Sequence, residues 1–151
     1  MNIPRHQRPT QLKQFLFGVP YYPEHWSIKD RKQDPLRMKA AGVNVVRMAE
    51  FAWSLMEPQR DQFDFSLFQE VSEKMGKHGI KTILCTPTAT PPRWLTEGNE
   101  KWFRVDVDGN PMQHGNRQHV CTNNHEFRAE SRRITRVMAE AFKDNPQVIG
   151  W

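Results

Sequence analysis

Short apolar runs alternate along the chain with longer stretches in which apolar residues return at three- and four-residue intervals. The runs are Phe15-Leu16-Phe17-Gly18-Val19, Val43-Asn44-Val45-Val46-Arg47-Met48, Ile80-Lys81-Thr82-Ile83-Leu84-Cys85 and Pro146-Gln147-Val148-Ile149-Gly150-Trp151. Short, nearly continuous apolar runs read as strands covered on both faces. Between the first two, Ser27 with Asp30 gives a capping-box start to a helix. Pro35 is expected at a first helical position after an Asp34 cap, with Leu36, Met38, Ala40 and Ala41 facing inward and Gly42 closing the helix. A second helix opens at Ser66 with Gln69, repeats Leu67, Phe68, Val71 and Met75, and ends at His78-Gly79. The third runs from about Asn124 to Phe142, burying Phe127, Ile134, Val137, Met138, Ala141 and Phe142, before Asn145-Pro146 breaks it. Residues 1–13 are polar and proline-punctuated and read as an arm, leaving 14–151 as the folded unit.

Strands alternating with helices imply parallel pairing through right-handed crossovers. Both a doubly wound sheet and an α/β barrel would fit. A nucleotide-binding sheet calls for Gly-x-Gly-x-x-Gly after its first strand, and that position holds Gly18-Val19-Pro20-Tyr21-Tyr22-Pro23. Long loops after the strands and short ones before them favour the barrel: an α/β chain forming about four β/α units, the first half of a (β/α)8 TIM barrel. The fourth apolar run finishes on Trp151 with no turn or polar tail, so the chain reads as a fragment cut after the fourth strand. Half a barrel leaves strand edges and apolar surface bare, so self-association is expected.

Composition narrows the function classes. Five Trp and nine Phe argue against disorder. The net charge is +5, but its arginines and lysines are scattered, the main clusters being Arg5/Arg8/Lys13 and Arg132-Arg133 with Arg136. A solvated helix face and a basic N-terminus account for these, and a nucleic-acid partner is not expected. No apolar run approaches a membrane span and the opening residues lack a signal-peptide core, which makes a cytoplasmic location the default. Cys85 and Cys121 are too few for a disulfide framework.

Chemistry in α/β folds collects at the C-terminal ends of strands. There the chain places Tyr21 to Trp26, Arg47 with Glu50, the run from Thr86 to Pro92, and a loop with Asn116, Arg117 and His119. Arg47, beside apolar strand positions, needs a carboxylate partner if buried. Either a structural ion pair or a site at the strand ends meets that need. Trp26, Trp53 and Trp94 lie in the loops after strands and could stack on the C–H faces of a sugar, or simply fill the core.

The residues resemble glycoside hydrolase family 42, the β-galactosidases. Gly18-Val19-Pro20-Tyr21-Tyr22-Pro23-Glu24-His25-Trp26 is similar to its opening signature, with Pro20 departing from the Cys or Asp expected there. Asn44 to Ser54 followed by Glu57-Pro58 is similar to the second-strand motif, and Thr86 to Leu95 to the third. The likeness continues through Asn116 to Cys121 and Val148-Ile149-Gly150-Trp151.

The resemblance implies a barrel that hydrolyses terminal β-D-galactosides with retention, using two carboxyls about 5–5.5 Å apart. In this family the acid/base Glu follows the Gly-Trp that ends the fourth strand, and the nucleophile comes from a later strand. Neither falls within this sequence, and Glu24, Glu50 and Glu57 do not replace them. Carried over by the resemblance, Arg117 binds substrate and Arg47 lies near the catalytic carboxylates, favouring an ionised nucleophile. Glu50 and Trp53 would line the pocket. Cys121 matches one of four thiolates on a structural zinc found in some members, with a plain buried thiol as the other reading. The resemblance implies no required cofactor and a homo-oligomeric parent. A non-catalytic carbohydrate-binding half-barrel, or a β-glycosidase of other sugar specificity such as an arabinopyranosidase, is the alternative.

Overall fold

Four parallel strands lie side by side in the order of the sequence: β1 (Gly18–Pro20), β2 (Val45–Met48), β3 (Lys81–Leu84) and β4 (Val148–Gly150). They belong to a computed structural model that describes residues 14–151. The expected polar arm at 1–13 lies outside the described residues. Helices α1 (Ile28–Ala40), α3 (Ser66–Lys77) and α5 (His125–Phe142) make the crossovers, and α2 (Trp53–Met56) and α4 (Arg93–Thr96) are single turns after β2 and β3. A doubly wound sheet returns to its middle and reverses direction. Strands that only add outward, 1-2-3-4, make the curved wall of a barrel.

Register explains the two faces of that wall. Val46 lies opposite Thr82 and Met48 opposite Leu84, and all four are fully buried. This face packs on Phe68, Val71 and Met75 of α3 and Met138 and Phe142 of α5, the apolar faces that the helical periodicity predicts. The alternate positions, Arg47 opposite Ile83 and Val45 opposite Lys81, face the other way. A second cluster lies under the long segment between β3 and α5: Trp53, Leu95, Trp102, Val120, Phe127 and Ile134.

Two expectations fail. First, only Gly18–Pro20 joins the sheet, and Phe15 and Phe17 are 84% and 50% exposed instead of covered on both faces. A side chain ties this stretch down: Asn44 accepts from the Phe17 amide at 2.9 Å and donates to the Phe15 carbonyl at 2.8 Å. Gly18 sits so close to β2 that a Cβ there would lie 2.2 Å from the Val45 carbonyl oxygen.

Second, Pro35 does not start a helix. The Ser27 hydroxyl caps α1 by accepting from the Asp30 amide at 3.2 Å, and the helix runs through Pro35. Asp34 is no cap; it takes the Tyr21 hydroxyl at 2.9 Å. Burial and this aspartate push the Tyr21 phenol well above its ordinary range. Pro35 is the buried residue of α1, whereas Leu36 is 57% exposed and Ala40 and Ala41 face solvent. Proline's missing N–H and the short alanines mislead a pattern reading here, because the helix is held partly by a tyrosine–aspartate hydrogen bond. Gly42 does follow the helix end, at φ 82°.

Candidate active site

At the C-terminal end of β2 the backbone turns through Ala49, a fully buried residue at φ 83°. Non-glycine residues rarely adopt this conformation, and it gathers where a side chain must be re-aimed. Here it folds Glu50 back so that its carboxylate pairs with the Arg47 guanidinium. Glu50 is 5% exposed. Arg47 also donates to the Cys85 thiol at the end of β3, at 3.0 Å, and that sulfur lies 3.9 Å from Glu50 Oε2.

The third participant arrives from far along the sequence. Arg117 reaches the other oxygen of Glu50 at 3.8 Å and lies over the Phe51 ring, 5.3 Å from its centroid. Gln118, at φ 55°, donates its amide to the Ala89 carbonyl at 2.7 Å, which anchors this loop to the segment following β3. The Thr90 hydroxyl donates to the Phe51 carbonyl at 3.0 Å, joining that segment to the one following β2. Three separate stretches thus converge on one carboxylate.

Around them lies a cavity of about 380 Å³, whose far wall comes from Phe127, Arg128 and Ser131 of α5. Glu50 is the one acidic residue among its lining groups, against Arg47, Arg117 and Arg128. Such a wall offers guanidinium donors to hydroxyl oxygens and favours the ionised form of any carboxylate beside it. This wall carries one carboxylate, already paired with two arginines.

Arg47, Glu50 and Arg117 are brought together as the sequence implies. Trp53 is not on the cavity wall. It is fully buried in the second core cluster and donates its indole N–H to Glu57 at 2.9 Å. Trp94 likewise packs on that cluster and donates to the Glu57 carbonyl at 2.9 Å. Trp26 is 53% exposed beside a different cavity, with Tyr21 and Tyr22. Trp53 and Trp94 therefore serve packing, Trp26 does not face this cleft, and Phe127 is the aromatic on its lining. Cys85 and the polar residues of α5 have no signal in the sequence beyond their place at a strand end and on a helix side.

Glu57, set aside as a catalytic candidate, is fully buried in an ion-pair network with Arg133. The Glu24 carboxylate oxygens are buried without a hydrogen-bond partner in the turn Pro23–His25 and do not line this cavity. Cys121 is a partly buried free thiol. Among the described residues no three His, Cys, Asp or Glu side chains gather closely enough to hold a metal ion, so the residues present do not make up a tetrahedral zinc site. No helix among them is long and apolar enough to cross a membrane.

Comparison with known proteins bears on the fold and the family. The β-galactosidase of Halorubrum lacusprofundi is 44% identical over 134 residues, which are 89% of this chain and 19% of that protein. The β-galactosidase of Bacillus subtilis is 41% identical over 140 residues, 93% of this chain and 21% of that one. The solved H. lacusprofundi enzyme superposes with a TM-score of 0.85 over 91% of this chain and 20% of its own. The cold-adapted β-galactosidase of Rahnella sp. R3 does so with a TM-score of 0.87 at 29% identity, over 95% of this chain and 21% of its own. The chain thus spans about one fifth of the relatives it matches, and its sheet is the first half of their TIM barrel. The profile of glycoside hydrolase family 42, described as β-galactosidase, matches residues 20–151, and the chain belongs to that family.

Proposed function

We propose that these residues form the sugar-recognition side of a retaining β-galactosidase acting on terminal β-D-galactosides. The observation that carries the reading is the convergence of Arg47 and Arg117 on Glu50 in a cleft at the strand ends. The arginines donate to galactose hydroxyls, and Glu50 accepts from one while holding both guanidiniums in place. Arg47 keeps a neighbouring nucleophile carboxylate ionised. The acid/base and nucleophile are contributed from outside these residues, since the cleft carries one carboxylate where retention needs two. No cofactor enters this reading, because two carboxyls and water suffice.

The direct test is hydrolysis of a chromogenic β-galactoside by the isolated chain. The expected rate equals that of a mock preparation. Turnover well above it, surviving further purification, would show that the chain holds its own catalytic pair.

A further inference from the structure

A fully buried carboxylate lies behind the cleft, and every one of its oxygens is engaged. Glu57 Oε1 accepts from the Asp61 amide at 2.9 Å and pairs with Arg133 Nη1 at 2.7 Å. Its Oε2 accepts from Arg133 Nη2 and from the Trp53 indole, each at 2.9 Å. Its backbone carbonyl takes the Trp94 indole. Arg133 is held in turn by Asp61 and Glu130, and Glu130 also by Arg60. Burial would raise the Glu130 carboxyl, but the Arg60 and Arg133 hydrogen bonds outweigh it and hold the group below its usual range. Arg133 is likewise held further above its ordinary value: burial works against this, and Glu57 and Glu130 prevail.

The three elements joined here each run into a wall of the cleft. Trp53 begins α2 three residues after Glu50. Trp94 follows Thr88 and Ala89, on the cavity lining. Arg133 leaves α5 roughly 200° around the helix from Ser131, which faces the cleft. The helix is therefore gripped from behind while its other side forms the far wall.

We propose that Glu57 and Arg133 are a positioning pair, whose bidentate bridge sets the distance between α5 and the Arg47–Glu50–Arg117 wall. A merely structural pair would lower stability without opening the cleft. Cys85, on the cleft floor, reports that opening through its rate of alkylation, independently of any ligand. The proposal assigns the spacing of the sugar cleft above, and only the galactose arm of its test rests on that reading.

The experiment uses the full chain with Cys121→Ser, so that Cys85 is the single thiol, and follows labelling by iodoacetamide below the melting transition. Glu57→Gln is expected to speed Cys85 labelling about tenfold. Arg133→Lys, which keeps the charge but loses the fork, gives a smaller rise and serves if Glu57→Gln does not fold. Met75→Ala, a cavity in the other core cluster, supplies a similar loss of melting temperature and should leave labelling within about twofold. Galactose should protect Cys85 in the parent and less in the Glu57 variant. Equal labelling in the Glu57, Arg133 and Met75 variants overturns the positioning role. Faster labelling in the first two without galactose protection keeps that role and contradicts the galactoside reading.

Discussion

Arg47 with Glu50 and Arg133 with Glu57 join the same two kinds of side chain under different conditions. At Glu57 the carboxylate is fully enclosed, bidentate and completed by an indole and a backbone amide. At Glu50 the carboxylate is nearly enclosed, but its partners are not: the side chains of Arg47 and Arg117 are 41% and 64% exposed. Charge that is satisfied on all sides holds elements together. Charge whose donors still face an open cavity is available to a ligand.

The contrast is testable first where the larger effect is expected. Glu57→Ala removes the one fully buried partner of Arg133 and leaves it only Asp61 and Glu130, and breaking a buried pair on one side costs about 3–5 kcal/mol. The melting temperature should fall by roughly 10 °C or more, read by circular dichroism. A fall no larger than that of Glu50→Ala would erase the distinction between the two regions. On the cleft side the stored cost is in the backbone. Ala49→Val places a β-branched residue at φ 83° in a sealed position and should lower stability by about 1–3 kcal/mol, whereas Ala49→Gly should not lower it. Urea midpoints for the two variants decide this, and equal midpoints would remove the strain argument.

The smallest effect concerns pH. The Glu130 carboxyl is held low in the folded state by Arg60 and Arg133 against the opposing effect of burial. Its stabilising contribution is therefore present above the ordinary carboxylate range and lost as pH falls through the depressed value. Stability measured from pH 6 down to about pH 3 should drop less steeply in Glu130→Gln than in the parent. Parallel curves would contradict the pairing.

Much of this was legible in the sequence. Helices over Ser66–Lys77 and His125–Phe142 follow from apolar spacing, since one face of each packs on the sheet. The Arg47–Glu50 pairing was foreseeable, because a strand arginine needs a partner and the chain supplies a carboxylate three residues on. Arg133 was not: in a row with Arg132 and Arg136 it reads as a solvated helix face, and its partner Glu57 lies far back in the chain. Trp53 misled for the same reason. A tryptophan after a strand can face a ligand or fill a core, and the choice rests on Leu95, Trp102 and Ile134, which only tertiary folding brings beneath that loop. Periodicity reports which face of one element is apolar. It carries no information about which distant segment covers it.

The central claim is that the cleft built on Glu50 recognises galactose through its exposed arginines. Saturation-transfer NMR on galactose with the chain and with Arg117→Ala tests it most directly. Transfer to the sugar is predicted for the parent and should be lost in Arg117→Ala, with melting temperatures within about 2 °C because the replaced side chain is largely exposed. Undiminished transfer in the variant, or none in the folded parent, would contradict the account.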